Sequence, residues 1–178
     1  MKRLAKKFGI TTLMSALAFN TIAQSNATAT ASATIIVPLT LSHRGTDMNF
    51  GNISVQSTSG GTVVLSPTGT RTIGGAGGVL FPTSVGSVSA AVFSVSGQAY
   101  YTYTVILPTN CTLTHTNNND FMTVDNFTSS PSTETGAGVL NESGVQNLNV
   151  GATLNVDANQ TAGVYSSGTA FTVTVNYN

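Results

Sequence analysis

The sequence predicts an all-β fold, a sandwich or barrel, and three observations carry that prediction. The last eight residues, Phe171 to Asn178, alternate apolar and polar without a break, as a strand with one buried face requires. Beyond the first two dozen residues no window shows a helical period; Thr, Ser, Val, Asn and Gly dominate and Trp is absent. Short apolar runs recur between Gly, Pro, Asn and Ser clusters, the pattern of many short strands joined by turns.

The N-terminus reads as a secretory signal, residues 1–23. Lys2, Arg3, Lys6 and Lys7 form a basic start, Phe8 to Ile22 an apolar stretch, and Thr21-Ile22-Ala23 a cleavage site after Ala23, with Ala27 as the alternative. The stretch is too short and too rich in Ser, Thr and Asn for a membrane span. The expected location is therefore the periplasm, cell surface or exterior, with no span left after signal removal. The mature chain keeps two cations, Arg44 and Arg71, against six carboxylates, Asp47, Asp120, Asp125, Glu134, Glu142 and Asp157, and has no lysine. Nucleic acid and anionic lipid, which need clustered basic residues, are poor partners for such a surface. Cys111 is the single cysteine, so no intrachain disulfide forms; of pairing between chains, binding and burial as a small hydrophobe, burial is the expectation, because Cys111 falls between two apolar runs.

Residues 24–34 read as an extended leader and 35–178 as one β-sandwich domain. Every odd position from Ala27 to Leu41 is apolar. The small-residue part, Ala27, Ala29, Ala31 and Ala33, is the leader, and Ile35 to Leu41 the first core strand, with Pro38 placing it at an edge or bulge. Met48 to Val55, Gly61 to Ser66, Gly78 to Phe81 and Ala91 to Val95 follow as strands. Tyr101 to Leu107, Cys111 to His115 and Phe121 to Phe127 come next, then the even-numbered stripe Leu148, Val150, Ala152, Leu154 and Val156. Val164 leads into the final strand, where Phe171, Val173, Val175 and Tyr177 make the buried stripe. The glycine run at Gly74 to Gly78 and the segment Ser129 to Gly138 read as loops.

Signals for catalysis are sparse. His43 and His115 are the only histidines and neither sits in a nucleophile motif, so no enzyme activity, catalytic residue or cofactor is expected. The run His115 to Asp120 has one carboxylate and three amides, which suits a hairpin turn better than a calcium site, and no metal is expected. The glycine run lacks the following Lys-Ser or Lys-Thr of a phosphate cradle. Arg71 is expected to pair with a carboxylate across a strand, with ligand contact the weaker alternative. Tyr100, Tyr101 and Tyr103 could stack on sugar, but Tyr101 and Tyr103 share a strand face and fit core or interface packing better than a carbohydrate platform.

Several segments in order resemble a family of secreted bacterial proteins, domain of unknown function 4402. They are Asn49-Phe50-Gly51, Gly69-Thr70-Arg71-Thr72, Ala91 to Gly97, Met122 to Phe127, Val150 to Leu154, and Gly163-Val164-Tyr165 through Val173 to Tyr177. More distantly, Asn49-Phe50-Gly51, Gly163-Val164-Tyr165 and the alternating ending resemble the spore-coat-U type subunits of archaic chaperone–usher pili. That likeness implies an incomplete immunoglobulin-like antiparallel β-sandwich, completed by a neighbour's N-terminal extension and escorted by a periplasmic chaperone. Carried over, Ala27, Ala29, Ala31 and Ala33 would be the donor leader, and Phe171, Val173, Val175 and Tyr177 the partner-binding strand. The function expected is a non-enzymatic structural or adhesive surface protein assembling with like subunits. The alternative is a self-complete monomeric module that binds a glycan or other envelope component.

Overall fold

The computed structural model describes residues 24–117 and 120–178. The basic start and the cleavage site after Ala23 lie outside the described residues. Residues 24–34 carry no strand and are exposed throughout. An Ala/Thr alternation has the strand period but little driving force, because burial free energy scales with apolar area and a methyl group offers little.

The described residues of 35–178 form a β-sandwich with fifteen strands among them. In chain order they are β1 (Thr40–Thr46), β2 (Asn49–Phe50), β3 (Ser54–Val55), β4 (Gly61–Leu65) and β5 (Arg71–Gly74). Then come β6 (Val79–Leu80), β7 (Val88–Ser89), β8 (Ala91–Ser96), β9 (Thr102–Ile106) and β10 (Asn110–His115). The last are β11 (Phe121–Ser130), β12 (Gly138–Val139), β13 (Val145–Val156), β14 (Tyr165–Ser167) and β15 (Thr174–Tyr177). Every pairing is antiparallel. The main sheet runs β1-β8-β13-β11-β10-β14, with β4 joined to β13 and β5 to β4. A smaller sheet runs β12-β9-β15, and β2-β7 and β3-β6 form two-stranded pairs.

Strand β13 is the spine. Its first half pairs with β8 (Val145↔Ser96 to Val150↔Ala91) and its second half with β4 (Ala152↔Leu65 to Val156↔Gly61), while β11 follows its other edge. The expected even-numbered stripe is buried along its length, from Leu148 to Val156. One apolar face therefore serves two core clusters. Val63, Leu65, Val79, Val124 and Leu154 centre the first; Val95, Tyr103, Val105, Leu140, Leu148, Val150 and Val173 centre the second. Met48 and Phe127 pack against both. Each fully buried Leu or Val contributes about 1.5–3 kcal/mol, so this alternation is the main determinant of the fold. The handover falls at Gly151, where any Cβ would overlap the carbonyl of Leu65 as β4 ends. Strand β11 stays in step through a bulge between Asp125 and Thr128, with Asn126 at a φ of 46°.

Several expected elements are shifted. The first strand begins at Thr40, not Ile35: Pro38 has no N–H for a ladder, Ile35 is 97% exposed, and only Leu39 and Leu41 reach the core. Strand β1 is nonetheless an edge strand with a bulge between His43 and Thr46. Met48 to Val55 is broken into β2 and β3 by Gly51, at a φ of 69°. The segment Ser129 to Gly138 is shorter as a loop than expected, since β11 continues to Ser130 and β12 starts at Gly138. Tyr165 opens β14, which pairs with β10, so Val164 leads into a separate strand and not into the last one.

Tyr103 is fully buried, and its hydroxyl donates to Gln146 Oε1 at 2.8 Å. Gly138 lies flat on the ring, where a Cβ would overlap it. Burial pushes the Tyr103 phenol up to about 12. An acid whose folded value lies above its unfolded value, near 10, adds stability that is intact below about pH 10 and lost as pH rises toward 12. Stability should therefore fall as pH rises through that window. Urea midpoints measured from pH 9 to 12 check this, and Tyr103→Phe should flatten the slope.

Candidate functional site

The C-terminal strand and the chain's entry into the sandwich meet along one flank. Strand β1 has a ladder partner only in β8, and β15 only in β9, so each ends its own sheet. The two edges approach one another without pairing. The expected stripe holds: Val173 is buried, Phe171, Val175 and Tyr177 are half-buried on the second core cluster, and Thr172, Thr174 and Asn176 are exposed. The ladder covers only Thr174 to Tyr177. Phe171 sits outside it, packed on Phe93 and Phe127 with ring centroids 6.3 and 5.2 Å away. From the other side of the seam Leu39 and Leu41 reach the same cluster and are also half-buried. Between β1 and β15, then, the core is only partly covered.

One end of this seam is closed by a main-chain clamp. The Tyr177 hydroxyl accepts from the Gln98 N–H at 2.6 Å and donates to the Val37 carbonyl at 2.8 Å. Gln98 Oε1 accepts from the Val37 N–H at 3.3 Å. Both polar groups of Val37 are thus held although the segment belongs to no strand. Gly97 makes room, since a Cβ there would overlap the Tyr177 hydroxyl, and Tyr101 packs edge-on against the Tyr177 ring at 5.7 Å. Gln98 and Gly97 were not expected as site residues. Their only sequence signal is the break in alternation after Ser96, which reads as an ordinary turn. The leader alanines Ala27, Ala29, Ala31 and Ala33 remain exposed and unpaired with any strand.

Arg71 corrects an expectation. Its guanidinium meets no carboxylate among the described residues; it donates to the main-chain carbonyls of Phe50, of Asn52 at 2.9 Å and of Val85 at 3.4 Å. The guanidinium also stacks over Phe81, 4.1 Å from the ring centroid. Partial burial holds its pKa below the ordinary arginine value. Gly51 allows this approach, because a Cβ would come within 2.9 Å of the guanidinium nitrogen. The arginine is a structural hub that joins β5 to the end of β2 and to the loop residues Asn52 and Val85.

The histidines are also engaged in structure. His115 is buried; Nδ1 accepts from the Asn117 N–H at 3.1 Å, so Nε2 carries the proton toward the Ala162 carbonyl at 3.3 Å. Its ring packs edge-on against Tyr165, and Gly163 leaves room for it. His43 Nε2 contacts the Thr46 carbonyl at 3.0 Å and Asp47 at 3.4 Å on the β1 bulge. The run from His115 to Asp120 does join a hairpin, β10 to β11, although Asn118 and Asn119 lie outside the described residues. Cys111 is half-buried against the first cluster, and burial pushes its thiol up. Among the described residues no cluster of His, Cys, Asp and Glu could hold a metal, and no helix is long and apolar enough to cross a membrane.

No curated protein and no solved structure matches the chain. The sequence profile of the domain of unknown function DUF4402 does, over residues 39–177. That span runs from the residue before β1 to the last residue of β15, and takes in the Arg71 hub and both edges of the seam. The chain belongs to the DUF4402 family.

Proposed function

We propose that this protein is an exported, non-enzymatic surface subunit that assembles into a fimbria-like fibre by β-strand complementation. Its sandwich is read as immunoglobulin-like, with the open flank between β1 and β15. One observation carries the reading: two strand edges without outer partners border a stretch of core whose apolar side chains, Leu39, Leu41, Phe93, Phe171 and Val175, are only half covered. An added strand there would gain main-chain hydrogen bonds from an edge and register from alternate side chains filling the gap. Left bare, such edges invite unwanted pairing, and a periplasmic chaperone during export, then a like subunit, would cover them. Residues 24–34, exposed and unladdered, are the segment proposed for donation.

The test is the oligomeric state of the mature chain, residues 24–178, beside the same chain lacking 24–34. Sedimentation should show concentration-dependent multimers for the first and loss of them for the second. A second reading, a monomeric module binding a glycan or other envelope component, is favoured by the Val37 clamp, which closes one end of the seam from within the chain. A monomer in both samples at every concentration would select that reading and overturn the fibre.

A further inference from the structure

We infer that the Tyr177 hydroxyl is the latch of a gate on the seam, an autoinhibitory contact that holds the strap of residues 35–38 across one end until assembly; the inference rests on the assembly reading above. Strand β15 and the segment before β1 lie on opposite sides of the seam. They are tied by the bond from the Tyr177 hydroxyl to the Val37 carbonyl at 2.8 Å. The same oxygen accepts from the Gln98 N–H at 2.6 Å. One hydroxyl thus commits both its proton and a lone pair to main-chain groups from two other parts of the chain.

The strap has little else to hold it. Residues 35–38 belong to no strand. Ile35 is 97% and Val37 52% exposed, Pro38 is exposed and Ile36 only half-buried. The first side chain to reach the second core cluster is that of Leu39. Gln98 Oε1 adds one contact, from the Val37 N–H at 3.3 Å. A segment with few buried apolar contacts and exposed hydrogen bonds opens far more readily than a core strand. The other half of the clamp is fixed: the Tyr177 ring packs on the second cluster and edge-on against Tyr101, and its main chain ladders with β9. Opening therefore moves the strap and leaves β15 in place.

Closure at this end opposes strand addition. An added strand needs about 4.8 Å on each side and free main-chain groups along the edge it joins. At Val37 both main-chain groups are taken by side chains that stand where a partner strand's groups would be. A strand lying beside Leu39, Leu41 and Val175 can run to this end of the seam only after Val37 lets go. Bare edges invite unwanted pairing, and an end that stays shut until a partner arrives limits it.

The experiment uses residues 24–178 as wild type, Tyr177→Phe and Gln98→Ala. Tyr177→Phe removes the hydroxyl and keeps the ring on Tyr101. In dilute, monomeric samples the NMR order parameter of the Val37 amide should fall from the rigid level of about 0.85 to below about 0.6, while β13 stays rigid. In sedimentation the same variant should associate at a concentration about tenfold lower than wild type. Gln98→Ala removes one of the two holds on Val37 and should move both readouts the same way by less. A Val37 order parameter unchanged in Tyr177→Phe would show that the hydroxyl does not hold the strap, which overturns the inference. A released strap with weaker association would make the clamp part of the joint and not a gate, and overturns it too. A released strap in samples that stay monomeric at every concentration would remove the assembly reading and the gating with it; the moved order parameter tells that failure from a failure of the latch.

Discussion

Replacing Arg71 with methionine is expected to destabilise the protein by about 3–4 kcal/mol, since two or three hydrogen bonds from a charged donor are lost together with a cation–π contact. The substitution preserves much of the apolar stem, so the loss falls on the guanidinium. The Val85 carbonyl keeps a second donor in the Asn52 N–H at 2.8 Å. The Phe50 and Asn52 carbonyls lose the charged fork that draws them together. Phe50 is buried in the first core cluster, so freeing its carbonyl also loosens its ring. Lysine should be intermediate, because one ammonium cannot satisfy diverging carbonyls as a planar fork does. Urea unfolding of Arg71→Met and Arg71→Lys tests this. A methionine variant within 0.5 kcal/mol of wild type would show that the loops around β2 and β3 hold without the hub.

The same arginine marks where the sequence stops being legible. Strands β4, β8, β9, β10 and β13 could be read directly, β4 and β8 as short apolar runs between turn residues and the others by alternation; the stripe from Leu148 to Val156 is the clearest case. Strands β5, β7 and β12 could not. Two of them, Val88–Ser89 and Gly138–Val139, are only two residues long, too short for a period, and exist because a distant partner supplies a ladder. The N-terminal stretch misled in the opposite direction. Its alternation from Ala27 to Leu41 is regular, but period alone does not make a strand. The actual β1 includes Ser42 and His43, polar residues held by pairing with β8 and not by burial, and then Arg44-Gly45 in the bulge before pairing resumes at Thr46. Arg71 was expected to seek a carboxylate because isolated cations usually do; sequence cannot reveal that three main-chain carbonyls converge on it. Of the seam, the C-terminal stripe was legible and the clamp was not, since Gln98 and Val37 stand 61 residues apart.

Aspartate at Val173 and at Val175 should fail in two different ways, and the difference is the strongest test of the seam. Val173 is 8% exposed and belongs to the second core cluster. A carboxylate there would be buried without a partner, because beyond residue 7 the sequence has no lysine and only Arg44 and Arg71 as arginines, and Arg71 is committed elsewhere. Burying an unpaired charge is among the largest single-residue penalties, on the order of 3–5 kcal/mol. Val173→Asp should therefore unfold the domain or lower its urea midpoint steeply. Val175 lies two residues on, pointing the same way but only half covered, in the ladder with Val105. Its aspartate can reach water at the open flank, so the monomer should fold with a loss of about 1–2 kcal/mol. If subunits join by the strand addition proposed above, an incoming strand would seal that water out and strand the charge, so Val175→Asp should abolish polymer. Asp at Thr174, exposed on the opposite face of the same strand, should leave both folding and assembly near wild type. If folded Val175→Asp still reaches the surface as polymer, the flank between β1 and β15 is not where subunits join.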